Sequence, residues 1–422
     1  MKKNYLTVIT IGLNWDKMPR SINVLKGIFA TTFMGMAAYL IFSRLYFPKE
    51  GLSNSQFGLL FSIPGIILIL SQPAWSLFTD YTGSSKTNFQ IMLIGSAGFL
   101  LIFYFAQDFF LNHFTALLIL MGFFALFYTA RGPVRNSLAL SFLGESEEGY
   151  GRIRLWSSVG WAVAAILVAY FLSKTSLDLL FPAASGFFLA SAVAVYLLKS
   201  PTRETLRTVN VFKSEEIHEA LKNKRMWIFL SCLFLLWVGV SGVMIFLPIY
   251  LDEYFGFDLV TLGVFYAVMA LTEVPFFYHG DDIIESIGIR AFLIVGFATL
   301  SVTWLILGLF TTPLVAFGAL LIRGVGFSFV YLGSVNYMDM EVTEKTRTVG
   351  QSLFTMTSFG IAGILGRSTF GFIADYIGLP KLYLIGGTLG AIGTLGLILF
   401  WSVVSCPSRE KTFTDRLLKY FS

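Results

Sequence analysis

Six ionisable side chains stand within otherwise apolar stretches of this chain: Arg131, Arg135, Arg154, Glu273, Arg323 and Arg367. A charge at the centre of a bilayer costs about 2.5–3.5 kcal/mol on insertion scales. Such residues therefore face a partner or a watery cavity. Guanidinium offers forked donors that match a carboxylate or phosphate, so Arg131, Arg154 and Arg367 are candidate substrate ligands. Arg131 and Arg135 are four residues apart and share a helix face. Glu273 is the only acid expected deep in an apolar span. Burial favours the neutral form of a carboxyl and a nearby arginine favours the charged form, so a group held between the two can take up and release a proton. Glu273 with Arg323 is the expected proton-coupling pair, and a permanent structural ion pair is the alternative. Snorkelling to the interface is the alternative for the arginines, above all Arg135 and Arg152, and it is the reading for Arg44 near the end of the first span.

The elements that must position these groups are membrane spans. Hydrophobic residues make up 56% of the 422 and charged residues 13%, where soluble chains carry about a quarter charged residues. A bilayer core needs about 20 apolar residues per helix. That spacing predicts an all-α integral membrane protein with twelve spans: 22–47, 56–79, 88–106, 113–141, 153–173, 178–198, 226–251, 258–279, 290–310, 313–338, 349–373 and 381–404. The polar stretch between them divides the chain into an N-terminal six-helix bundle (1–198), a cytoplasmic connector (199–225) and a C-terminal six-helix bundle with a tail (226–422). Residues 5–13 are apolar but too short to span and read as an interfacial segment. Ser214, Glu215 and Glu216 read as the start of an amphipathic helix in the connector.

With both termini cytoplasmic, 22 Lys and Arg residues fall on the inner side, and only Lys49, Lys174 and Lys381 on the outer. The positive-inside rule supports this orientation. The net charge of +5 is then a topology signal and not a sign of nucleic-acid binding. The two cysteines, Cys232 and Cys406, suit neither a disulfide scaffold nor a metal site. His113, His218 and His279 are scattered. No cofactor, metal or catalytic constellation is expected, and the chain does not read as an enzyme. Gly387, Gly390, Gly393 and Gly396 lie inside an apolar span with no strand before them, so they read as helix-packing positions and not as a nucleotide loop.

The halves echo each other. Pro73 to Asp80 and Pro275 to Asp282 have the same spacing, and Gly95 and Gly296 fall at matching places in each third helix. Repeats around a midplane cavity are how many secondary transporters alternate access. The loop from Ser76 through Asp80 and Gly83 to Lys86 resembles, in degenerate form, the signature between helices two and three of the major facilitator superfamily. In that family the Asp braces the cytoplasmic gate, so the resemblance implies a gating role for Asp80. Gly371 to Lys381 has similar spacing but follows span eleven on the outer side, and is set aside.

Tyr150-Gly151-Arg152-Ile153-Arg154 through Val159-Gly160-Trp161 resembles the start of helix five in lactose permease and its relatives. Tyr337-Met338 to Arg347 through Ser352 resembles the phenylpropionate-permease branch of the same group of proton symporters. The resemblance implies that Arg154 binds substrate hydroxyls and Trp161 stacks on a sugar ring. The family's acidic ligand on helix four falls on Asn136. Its His and Glu on helix ten fall on Gly326 and Phe329, and its helix-eight acid on Ala270, with Glu273 one turn on. The family's own proton route therefore does not carry over.

Together these readings predict a monomeric secondary transporter in a bacterial or archaeal cell membrane. It would couple protons to symport of a small polar solute, sugar-like or a small organic carboxylate, with lipids as its only other partners. A drug or metabolite exporter of the same fold is the alternative, disfavoured by the lack of proline from Ser157 to Leu172. A non-transporting membrane sensor is the other, disfavoured by the retained intramembrane charges.

Overall fold

The computed structural model describes residues 20–82, 84–143, 150–198, 222–342 and 347–403. The expected interfacial segment 5–13, most of the 199–225 connector and the tail after Cys406 lie outside these residues. Every spanning element is helical: α1 Arg20–Lys49, α2 Asn54–Thr82, α3 Ser85–Phe105, α4 in two pieces (Phe114–Tyr128 and Arg131–Leu143), α5 Tyr150–Lys174 and α6 Leu180–Leu197. In the second half follow α7 Lys224–Phe255, α8 Leu259–Tyr278, α9 Gly280–Leu309, α10 Pro313–Glu341, the composite α11, and α12 Leu379–Val403.

Local chemistry sets the ends. The Ser84 side chain accepts from Thr87 N–H at the start of α3, Asn223 accepts from Arg225 and Met226 N–H at the start of α7, and Asp258 from Thr261 N–H at the start of α8. These caps satisfy the orphan donors of a first turn. Gly256, at φ 67°, closes α7 in the left-handed conformation that glycine adopts without strain.

Among the described residues, ten helices are long and apolar enough to cross a membrane, and Phe114–Tyr128 is a shorter apolar helix. Expected spans four and eleven are not continuous helices. In α4 the break falls at Thr129–Ala130, where Pro133 offers no N–H to the Thr129 carbonyl. In α11, Arg347–Thr355 passes through a π-helical stretch, Met356–Ile361, before Ala362–Ile377. Such π stretches occur often at functional sites.

Packing follows the small residues. A Cβ on Gly95 of α3 would meet the Phe127 ring of α4, and one on Gly296 of α9 would meet Phe329 and Val330 of α10. Helix α5 packs on α1 and on α8, and α2 packs on α11. Gly263 of α8 lies against the Ala165 carbonyl and Ala169, and Gly58 of α2 against the backbone of Arg367 and Gly371. Large apolar side chains such as Phe105, Leu314 and Leu70 are exposed on the outside of the bundle, a surface that suits lipid.

Candidate functional site

Gly324 of α10 has no Cβ, and one placed there would collide with Thr272 of α8. That close approach sets Glu273 opposite Arg323. Their side chains form an ion pair, Nη1 to Oε1 at 2.5 Å, with Arg323 7% and Glu273 20% exposed. The Arg323 guanidinium also lies 4.7 Å from the Phe327 ring centroid. Ser328 donates to the Glu273 carbonyl at 3.3 Å, tying the two helices again one turn along. From the other half, on the helix that packs against α8, Arg154 of α5 is close enough for its charge to act on the Glu273 carboxylate. The one deep acid is thus paired within its own half and addressed by a cation from the other.

Arg154 is exposed and sits 5.2 Å from the Phe33 ring of α1. Arg135 of α4 lies 4.7 Å from Phe33 and from Phe29, and donates to Asn136 Oδ1 at 3.4 Å. Phe33 is thus a shared neighbour of Arg154 and Arg135. Trp161 is half-buried and packs against the core edge. It makes no hydrogen bond or ring contact with these residues among those described, so the structure does not bring the expected Arg154–Trp161 clamp together as a contacting unit.

The break in α4 builds a second centre. It frees the Tyr128 carbonyl, which accepts from Arg131 Nε at 3.0 Å. The guanidinium faces are covered by Tyr128 and Phe188, at 4.2 and 4.3 Å. Arg131 is 3% exposed, and its two terminal nitrogens have no hydrogen-bond partner. On α11, Arg367 folds back toward Gly363 and across to Gly65 of α2, whose missing side chains leave it room, and donates to the Phe61 carbonyl at 3.2 Å.

Arg44 corrects the expectation of snorkelling. Its Nη1 donates to the Met244 carbonyl of α7 at 3.4 Å, and its charge acts on the hydroxyls of Tyr39, Tyr128 and Tyr266 and on Arg367. Half-buried, Arg44 is held toward α7 and the Phe61 ring of α2 and not toward the interface. A small apolar pocket behind Tyr39, bounded by Phe99, Leu100 and Phe124, is lined by none of the arginines.

The helix-ten positions where the resembling family carries His and Glu are turned to packing. A Cβ on Gly326 would press on Leu300 and the Gly296 carbonyl of α9, and Phe329 stacks on Phe292 at 3.9 Å.

Polar contacts join the two halves toward the end of the bundle where α1 turns into α2. Lys49 pairs with Asp252 at 2.8 Å. The Asp375 carboxylate accepts from Asn54 and Ser55 N–H, both at 3.0 Å, and so caps α2 from α11. Ser62 donates to the Ile364 carbonyl at 3.2 Å. The segment Gly371–Lys381 thus braces this end: Gly371 admits α2, Asp375 caps it, and Gly378 turns the chain at φ 78°. Setting it aside for lying on the outer side missed this contact. At the opposite end Asp80 lies in the last turn of α2, and Lys86 donates to the Tyr196 and Leu198 carbonyls that end α6.

The arrangement has counterparts among known proteins. The chain is 23% identical over 388 residues to the uncharacterized transporter YwbF of Bacillus subtilis, covering 90% of this chain and 93% of that one. It is 22% identical to the maltose permease of Geobacillus stearothermophilus, covering 90% and 93%. A solved structure of a mutant of the nucleoside transporter NupG superposes with a TM-score of 0.81 at 16% identity, covering 90% of this chain and all of that one. The model of the MFS_1-like family matches residues 22–385. The chain belongs to that family of the major facilitator superfamily, and is an integral membrane secondary transporter and not an enzyme.

Proposed function

We propose that this transporter is a proton-coupled symporter of a small polar solute, sugar-like or a small carboxylate, bound between the bundles 1–198 and 226–422. Arg131, Asn136, Arg154, Trp161 and Arg367 would serve the solute, Glu273 and Arg323 the proton, and Asp80 the inner gate. The observation that carries the reading is the position of Glu273, held by Arg323 in its own half and acted on by Arg154 from the other. Protonation would cancel the carboxylate charge, loosen the Arg323 pair and release the pull on Arg154. The halves could then reorient, and loss of the proton on the far side would restore the attraction. The maltose and nucleoside specificities of the relatives support a polyhydroxylated solute. The protein would work as a monomer in a bacterial or archaeal cell membrane, with both termini and the 199–225 connector cytoplasmic.

Glu273→Gln tests the proposal. A permanently neutral side chain should still bind solute and exchange labelled solute across proteoliposomes, while accumulation driven by a pH gradient should vanish. Full proton-driven accumulation by the variant would refute the coupling role and move it to Asp339 or Glu341 near the end of α10. Loss of exchange and accumulation together, with poor expression, would mark a structural pair whose breakage leaves Arg323 orphaned.

A further inference from the structure

Among the described residues, three arginines, the buried Arg131 and the half-buried Arg44 and Arg367, cluster around tyrosines with no acid among them. Arg131 of α4 covers the Tyr128 ring at 4.2 Å, and Tyr128 meets Tyr39 of α1 edge-on at 5.7 Å. Arg44 of α1 faces the Phe61 ring at 6.0 Å, the residue whose carbonyl accepts from Arg367 of α11. With Tyr266 of α8 these groups line an arginine–tyrosine cage. The charge of Arg44 acts on all three tyrosines and on Arg367, and Arg131 and Tyr128 act on each other. Among the described residues, no carboxylate is among the charges that act on any of the three arginines. Glu273 does not balance them, because it is already engaged by Arg323.

The cage is short of acceptors. Arg131 spends Nε on the Tyr128 carbonyl and both faces on aromatic rings, which leaves its terminal edge, the forked pair of donors, buried and unpartnered. Arg44 Nε and the Tyr128 hydroxyl are also buried without a partner. A buried donor with no acceptor is destabilising, and more so when it is charged. Snorkelling cannot relieve Arg131, which is clamped between Tyr128 and Phe188. Hydroxyls of a neutral sugar could accept these hydrogen bonds but would leave three positive charges uncompensated. An oxyanion satisfies both needs, with two oxygens for the fork of Arg131 and negative charge for all three guanidinium groups.

We propose that this arginine–tyrosine cage seats the anionic head of the transported solute, so that the substrate is an organic oxyanion, a carboxylate or a phosphate ester, and not a neutral sugar. The proposal rests on the reading that solute binds between the halves. It adds Arg44, Tyr128 and Tyr266 to the site. Residues from α1, α4, α8 and α11 meet on one anion, so its arrival would hold the two bundles together.

Thermal unfolding of the purified full-length protein tests this with glucuronate, glucose 6-phosphate, glucose and glucosamine, because a ligand of the folded form raises Tm with concentration. At least one of the two oxyanions should raise Tm, and glucose and glucosamine should not at the same concentrations. The arm that responds tells carboxylate from phosphate ester. Arg131→Gln should raise the Kd of that oxyanion by about tenfold or more. If that variant does not fold, Arg367→Lys, which keeps the charge and loses the fork, should weaken binding in the same direction. Stabilisation by glucose equal to that by its acids, or by neither oxyanion, overturns the proposal. So does unchanged Kd in the folded variants. Oxyanion binding without pH-driven uptake would sink the symport reading and leave the cage standing. Glu273-dependent uptake of glucose without oxyanion binding would do the reverse.

Discussion

Arg154 and Arg131 have the same side chain and opposite surroundings. Arg131 is sandwiched and sealed, while Arg154 is exposed over Phe33 and reaches Glu273 only through its field. An exposed guanidinium at the edge of the cleft fits a ligand that comes and goes. Arg154→Lys should weaken solute affinity by about tenfold, since a point charge does not replace a planar fork. Trp161→Phe should change it by less than about threefold, because the ring packs at the core edge without touching the arginines and Phe keeps most of that contact. Titration calorimetry on both variants measures this, and unchanged affinity in both, with normal expression, removes the two residues from the site. The importance of Glu273 was readable from one acid in an apolar run, but its partner was not, because sequence spacing does not show which helices touch. Arg44 was misread for a related reason. Lys49 already occupies the end of α1, so Arg44 lies five residues, about 7.5 Å, further in, and only the packing of α7 against it shows that it turns inward.

Apolar run lengths located the helices, but they could not locate the two places where a helix gives way. The break before Arg131 depends on Pro133 and on what accepts the freed bonds. The π stretch at Met356–Ile361 lies in a glycine-rich segment that also reads as continuous helix. Both interruptions sit beside arginines of the cage, where the regular pattern yields to the site. The same limit hid the brace at Gly371–Lys381, whose spacing was visible but whose partner, the first turn of α2, was not. Burial pushes the Asp375 carboxyl up, but hydrogen bonds from Ser55 and Asn54 pull it further down, to a net position below the usual carboxylate range. Asp375 lies beyond the expected span 349–373. Its contribution to the closed contact is therefore complete above the ordinary carboxylate range and is lost as pH falls through the depressed value, so at neutral pH the brace is fully made. Asp375→Ala removes a helix cap worth about 1 kcal/mol, roughly a fivefold shift in population toward opening at this end. A cysteine at Ser62, buried beneath the brace, should then react roughly fivefold faster with a membrane-impermeant maleimide. An unchanged rate would mean that Lys49–Asp252 and the α2–α11 packing hold the end shut alone.

At the scale of the whole molecule, the contacts that close the α1–α2 end and the distribution of charge bear on the same question, which way the cleft faces. Lys49–Asp252, Asp375 on the start of α2, and Ser62–Ile364 all seal the end that carries the α1–α2 turn. On the twelve-span reading of the sequence, Lys49, Lys174 and Lys381 alone would fall at that end, against 22 Lys and Arg residues at the other. By the positive-inside rule, the sealed end would be extracellular and the exposed Arg154 near the start of α5 would look toward the cytoplasm, an inward-facing arrangement. Single cysteines decide the point. Ser53, exposed in the α1–α2 turn, and Ser214, in the connector, lie far apart in sequence and on opposite faces under the twelve-span topology. In intact cells an impermeant maleimide should label a cysteine at Ser53 directly, and one at Ser214 only after the membrane is opened. Labelling of both from the same side would break the twelve-span count, because an even number of crossings between Ser53 and Ser214 is what a same-side result requires and the predicted number is five. Labelling of Ser214 alone in intact cells would keep the count and invert the protein, so that the described cleft would open outward and Glu273 would meet its proton from outside.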